Sequence, residues 1–196
     1  MPRLTRAQTQ ERNRDLLLAA ARELFLRDGY GTTSLAAVAE AAGFSTGAVY
    51  SNFSGKAEIA LSVLRGIQTE QVRALTRVVD GRPAAEVLED LRQWSRDALD
   101  SGWARLELEF ALDTRTEPDY VAAEAERQRT AVAAITALID PLVPPAVSAA
   151  LPTRVLAEAL LNLAIGLAVR RVVDPKVTGD ALIDAVRGLL VGSQRE

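Results

Sequence analysis

Gly43-Phe44-Ser45-Thr46-Gly47 spells Gly-x-Ser-x-Gly, a spacing that in hydrolases lifts a serine nucleophile onto a sharp strand-to-helix turn. Such a serine needs an imidazole base, and the chain has no His and no Cys among its 196 residues. Serine–histidine and cysteine nucleophiles, imidazole acid–base chemistry, thiolate metal sites and disulfides are excluded together. Carboxylates are paired at Glu107/Glu109, Glu89/Asp90 and Glu124/Glu126. Residues one or two apart on a helix point away from each other, so these pairs are expected on solvated faces and not in one acid–base cleft. No metal site, cofactor loop or catalytic constellation is predicted, and the chain does not read as an enzyme. Hydrogen-bonding chemistry is what remains. Thr46, Gly47, Tyr50, Ser51 and Asn52 offer hydroxyls, an amide and an unshielded backbone in one short stretch. Such groups suit phosphate oxygens and base edges.

The elements that must position those residues are helical. From Glu11 to Arg27, the residues Leu17, Ala20, Ala21, Leu24 and Phe25 recur at three- and four-residue steps. Gly29 ends that helix. A second helix is expected over 34–42, with Thr33 as its cap and Gly43 beyond its end. A short third helix is expected over 45–51, capped by the Ser45 hydroxyl. A long fourth helix is expected from Gly55, capped by Ser54, to about Val79. Pro83 opens a helix to about Asp100, and further helices read as 103–113, 118–139, 153–172 and 179–191. No alternating strand pattern and no hairpin dipeptide between strands is present. The fold is predicted to be all-α, with about nine helices.

Helices two and three are joined so closely that they must cross steeply. Ala39 and Ala42 are small enough for the crossing, and Gly43 suits a turn with positive φ. Val38, Phe44 and Val49 can pack on the Leu17/Leu24/Phe25 face and hold the third helix outward. This is a helix-turn-helix pattern inside a three-helix core. Residues 1–53 are read as that N-terminal domain and residues 54–196 as a larger helical one.

The stretch from Leu17 to Ile59 resembles the TetR family of bacterial transcriptional repressors. The resemblance rests on the amphipathic first helix, Gly29-Tyr30, Thr33-Ser34, Val38-Ala39, Ala41-Ala42-Gly43, Ser45, Gly47, Val49-Tyr50, Phe53 and Lys56. It implies an all-α homodimer whose helix-turn-helix binds a double-stranded operator and whose C-terminal domain takes a small effector that releases the DNA. It places Ser45, Thr46, Gly47 and Tyr50 on the recognition helix, and Thr33 at the phosphate-contacting start of the preceding helix. It places Lys56 at the start of the long helix, where family members hold a phosphate. Two positions depart: the family often has Lys at the place of Thr46 and His at the place of Asn52. Loss of both cations lowers the expected phosphate affinity. Arg3, Arg6, Arg12 and Arg14 could compensate from an N-terminal arm.

Charge supports this placement weakly. The net charge is −3, with 21 Arg and 2 Lys, which excludes a uniformly basic nucleic-acid coat. Residues 1–60 carry seven cations and six acids, and the remainder 16 and 20. Trp94, Trp103, Arg105, Leu106, Phe110 and Tyr120 are candidates for an effector pocket, with Arg105 and the Tyr120 hydroxyl as polar handles. Trp103, Leu106 and Phe110 share a helix face. The helix over 153–172 is apolar nearly all round, which suits burial on two sides. Leu156, Leu160, Leu163 and Leu167 on it, with Leu182, Val186, Leu189 and Leu190 on the last helix, are expected to form a four-helix dimer interface. The most apolar stretch, 159–169, is too short for a membrane span of roughly 20 residues. No signal peptide is expected, and the chain is read as cytoplasmic with no membrane partner and no cofactor. The competing function is a small-molecule binding or sequestering protein that retains an unused helix-turn-helix head.

Overall fold

The computed structural model describes the backbone of residues 5–79 and 84–191, and within them every side chain except those of residues 84, 85 and 189–191. Among the described residues all regular secondary structure is helical: α1 Arg6–Asp28, α2 Leu35–Ala41, α3 Thr46–Tyr50, α4 Lys56–Val79, α5 Ala84–Asp100, α6 Trp103–Thr114, α7 Pro118–Ile139, α8 Pro145–Ala150, α9 Thr153–Val173 and α10 Asp180–Val191. A single 3-10 turn, Asp140–Leu142, follows α7. The all-α expectation holds, with ten described α-helices against the nine expected. The additional one is α8, in a proline-rich stretch that reads as loop. Its first residue is Pro145, whose fixed φ suits the first helical position.

Local chemistry explains where the helices stop and start. Thr5 caps α1 in a reciprocal box: its hydroxyl accepts from the Gln8 N–H at 3.2 Å while the Gln8 side chain accepts from the Thr5 N–H at 2.9 Å. The chain leaves α1 through Gly29 at φ +99°, a region that side-chain-bearing residues avoid. The cap of α2 is Ser34, whose hydroxyl accepts from Ala37 N–H at 3.1 Å, one residue later than expected. Thr33 is turned inward, and its hydroxyl donates to the Gly29 carbonyl at 2.7 Å. Ser45 caps α3 as expected, accepting from Ala48 N–H at 3.3 Å. At the start of α4, Ser54 is the donor and not the acceptor. Its N–H and hydroxyl both reach the Glu58 carboxylate, at 2.8 and 2.9 Å.

The chain divides into two compact units. The first comprises residues up to Gly66 together with Arg105–Val121; the second comprises Ile67–Ala104 and the chain from Ala122 onward. The core of the first unit gathers Leu17, Ala21 and Phe25 of α1, Val38 of α2, Val49 of α3, Ile59 and Leu64 of α4, and Leu106 and Phe110 of α6. An aromatic ladder runs through it. Phe25 and Tyr30 lie 5.7 Å apart, Tyr30 and Phe110 meet edge-to-face at 6.1 Å, and Phe110 and Tyr120 do the same. Edge-to-face contacts set positive ring edges against negative ring faces and fix ring orientation as well as burying area.

In the second unit, Val87 and Leu91 of α5 and Ile183 of α10 form a buried cluster flanked by Leu75, Val78, Val79, Leu88 and Val186. Buried Gly179, just before α10, lets that helix begin directly against α5: a Cβ there would lie 2.4 Å from Ser95 Oγ. Arg127 of α7 is buried and forms two hydrogen bonds to Glu124, at 2.6 and 2.8 Å. It also exchanges hydrogen bonds with Gln68 of α4: its guanidinium donates to the Gln68 side-chain oxygen, and the Gln68 amide donates to the Arg127 carbonyl, both at 3.1 Å. A buried guanidinium is tolerated only when paired this completely. Glu124 is thus tied to Arg127 and is not a member of an open solvated face. No helix among the described residues is long and apolar enough to cross a membrane.

Candidate nucleic-acid interface

Helix α3 is short, and its two faces differ sharply. Val49 is fully buried and Ala48 half-buried, while Ser45, Thr46, Gly47, Tyr50 and Ser51 are exposed. Tyr50 is 61% exposed. The turn before α3 passes through Gly43 at φ +74°. Two backbone bonds lock it: Gly43 N–H donates to Glu40 O at 3.0 Å and Phe44 N–H to Ala39 O at 2.8 Å. Val38 and Val49 anchor α2 and α3 from below, so the polar face of α3 is fixed outward by core packing.

The end of α3 is held from α1. The Arg14 guanidinium donates to the Asn52 carbonyl at 2.6 Å and to Glu58 at 3.2 Å, and lies 4.1 Å from the Phe53 ring centroid. Arg14 is thereby a structural brace and not a member of a free N-terminal arm. Arg6 and Arg12 are exposed, and Arg3 lies outside the described residues. The hydroxyl of Ser51 and the amide of Asn52 both donate to the Ala48 carbonyl, at 2.9 and 2.7 Å. Asn52 is half-buried and its Oδ1 has no hydrogen-bond partner among the described residues.

Lys56 is the first residue of α4. Its ammonium lies 4.3 Å from the Tyr30 ring centroid and donates to the Gly31 carbonyl at 3.3 Å. Burial lowers its pKa, opposed by the nearby Asp113 and Glu109 carboxylates. Those acids come from α6. Asp113 accepts from the Tyr30 hydroxyl at 2.9 Å, and burial together with this bond raises the tyrosine pKa well above its ordinary value. Glu109 accepts from the Gly31 N–H at 2.8 Å, and its carboxylate lies only 3.1 Å from where a Cβ on Gly29 would sit. Gly29 is favoured for its positive φ, and a Cβ there would also press on the Glu109 carboxylate. Glu109 departs from the solvated-face expectation because its partner is a backbone N–H distant in sequence.

The six candidate pocket residues are not gathered in one unit. Arg105, Leu106, Phe110 and Tyr120 belong to the first, and Trp94 and Trp103 to the second. Leu106 and Phe110 are fully buried. Arg105 donates to the Leu26 and Arg27 carbonyls, each at 3.0 Å, and so caps the C-terminal end of α1, where a cation is favoured. Trp94 and Trp103 are half-buried, and the buried Trp94 Nε1 has no hydrogen-bond partner among the described residues.

The residues expected at the dimer interface also divide. Leu156 and Leu167 are buried within the chain itself, and Leu160, Leu163, Leu182 and Val186 are half-buried. Leu189 and Leu190 lie outside the described side chains. The exposed face of α9 carries Val155, Ala159, Asn162 and Gly166, with open space around Gly166. Among the described residues, no group of three or more acidic side chains is gathered to hold a metal ion.

A tight helical turn, a buried scaffold and an outward polar helix place the chain among the helix-turn-helix DNA-binding transcriptional regulators. Comparison with known proteins agrees. Residues 17–63 match the family model for bacterial regulatory proteins of the tetR family. That segment holds α2, the turn and α3, so the likeness to the family lies in the helix-turn-helix part of the chain. Among solved structures, it is similar to a TetR-family transcriptional regulator from Pectobacterium atrosepticum at 26% identity and a TM-score of 0.65, covering 96% of this chain and 95% of that one. A transcriptional regulator from Rhodococcus sp. Rha1 is 24% identical with a TM-score of 0.70, covering 91% and 96%. A second regulator from Rhodococcus sp. RHA1 reaches a TM-score of 0.73 at 19% identity, covering 94% and 96%. No curated protein sequence matches the chain.

Proposed function

We propose that the protein is a homodimeric repressor that binds a near-palindromic operator and is released from it by a small-molecule effector. Residues 1–53 act as the DNA-binding domain and 54–196 as the effector-binding and dimerisation domain. The observation that carries the reading is the outward face of α3, with Thr46, Gly47 and Tyr50 exposed above a fully buried Val49. Ser45, Thr46, Gly47, Tyr50 and Ser51 meet the DNA in the major groove. The exposed Ser34 cap takes the phosphate contact at the start of α2, in place of the inward-turned Thr33. Lys56 supplies a cation at the start of α4. An ammonium has three N–H groups, so the bond to Gly31 leaves capacity for a phosphate.

Dimerisation through α9 and α10 sets two recognition helices about 34 Å apart, one DNA turn. The face of α9 bearing Val155, Ala159 and Gly166 supports this, because its small residues admit a close helix–helix approach. The effector acts in the second domain, in the cytoplasm, by preferring a state whose heads are spaced wrongly for the operator. The shift is limited by its differential affinity for the two states.

Fluorescence anisotropy tests the reading, with a labelled duplex selected by the protein from a randomised pool. The wild-type chain is expected to retain the selected duplex over a scrambled one. Tyr50→Ala is expected to weaken binding by about 1–3 kcal/mol while leaving the circular dichroism spectrum unchanged. Equal affinity of wild type and variant for selected and scrambled duplexes would remove the reading.

A further inference from the structure

We propose that Glu109 and Asp113, one turn apart on α6, are positioning residues for operator binding, which they serve by building the seat of Lys56. The inference rests on the DNA-binding reading of Lys56 and adds the control of that contact by α6.

The seat has two walls, and each is fixed by one carboxylate. The first wall is the Tyr30 ring, 4.3 Å from the Lys56 ammonium. Its hydroxyl is tied to Asp113 at 2.9 Å, and its ring is set edge-to-face against Phe110 of the same helix. The second wall is the Gly31 carbonyl, 3.3 Å from the ammonium. The same residue's N–H is tied to Glu109 at 2.8 Å. Gly29 and Gly31 flank the Glu109 carboxylate, so the turn after α1 is shaped around it. Arg105, one turn before Glu109 on α6, binds the last carbonyls of α1, at Leu26 and Arg27. Three polar residues spaced four apart on one helix thus hold the stretch from Leu26 to Gly31, Arg105 and Glu109 through its backbone and Asp113 through the Tyr30 hydroxyl. The carboxylate charges favour the Lys56 ammonium but repel phosphate, so charge alone does not account for their placement. Their hydrogen-bonding geometry is what the head uses. A displacement of α6 therefore changes operator affinity through Lys56 without any α6 residue touching DNA.

The test is the salt dependence of binding to the selected duplex, because each phosphate neutralised contributes about 0.9 to the slope of log K on log salt. Lys56→Ala is expected to lower the slope by about that amount. The double swap Glu109→Asp with Asp113→Glu keeps every charge and misplaces both carboxylates. It is expected to lower the slope to the level of Lys56→Ala, and adding Lys56→Ala to it should change nothing further. Partial unfolding alone would lower the active fraction and leave the slope intact. Should the swap not fold, Tyr30→Phe retains the ring and loses only the Asp113 bond; a smaller fall in slope is then expected. An unchanged slope in the swap, or in Tyr30→Phe where the swap does not fold, overturns the inference alone. So does a Lys56→Ala loss that adds in full to that of the swap. A wild-type chain that selects no duplex overturns the DNA-binding reading together with it.

Discussion

Arg14 and Glu58 pair at 3.2 Å, which joins the middle of α1 to the first turn of α4 across the end of α3. Glu58 also accepts from the Ser54 N–H and hydroxyl, and Arg14 also donates to the Asn52 carbonyl and covers the Phe53 ring. The two side chains close the loop between α3 and α4, so the angle of α3 is set from behind by charged groups.

An acid-sensitivity prediction comes from this pair. The Ser54 backbone bond, its hydroxyl and Arg14 hold the Glu58 carboxyl below its ordinary pKa, against an opposing effect of burial. A depressed folded-state pKa means that the stabilisation is complete above the unfolded value, about 4.3. It is lost as pH falls through the lower folded value. Glu58→Gln is expected to cost about 1 kcal/mol near neutral pH, since the pair is one-third exposed and screened. The cost should vanish in strong acid, as followed by urea denaturation across pH.

Thr46 is exposed at the start of α3, at a position where the resemblance leads one to expect lysine. Thr46→Lys adds a cation at the groove edge without disturbing the core. Operator affinity at low salt is expected to rise, and the slope of log K on log salt to steepen by about 0.9. Anisotropy titrations at several salt concentrations read both quantities.

Phe110 is fully buried between Tyr30 and Tyr120. Packing of this kind makes it a core residue of the first unit. Phe110→Ala is expected to cost about 3–5 kcal/mol, measured by chemical denaturation. A cost under about 1 kcal/mol would be the behaviour of a residue lining open space.

Val155 is 37% exposed on the outer face of α9. Val155→Glu places a charge in the proposed four-helix interface, in the first turn of α9. The variant is expected to sediment as a monomer at concentrations where the wild type is a dimer, and to retain its helical spectrum. Loss of operator affinity should accompany the loss of the dimer, because each half-site alone binds weakly.

The local devices of the head were legible in the sequence because their causes are local. Gly43 marks the turn, Ser45 the cap, and the spacing of Leu17, Ala21 and Phe25 the buried stripe. Thr33 and Ser34 show the resolution of such reading: both can cap, and only the inward pull of the Gly29 carbonyl assigns the cap to Ser34. The seat of Lys56 was not legible. Asp113 lies 83 positions from Tyr30, and Glu109 lies 78 from Gly31. A helix wheel distinguishes polar from apolar faces, but a carboxylate bound to a distant N–H looks the same on it as one bound to water. Arg105 has the same history: its spacing suits a polar handle in a pocket, and the structure uses it to cap α1.

Hydroxyl-radical footprinting of the wild-type complex on a selected duplex measures most directly whether two outward α3 helices enter successive major grooves. Two symmetric protected patches are expected, centred about 10–10.5 base pairs apart and both weakened together in Tyr50→Ala. A single protected patch, or protection indifferent to Tyr50, would contradict it.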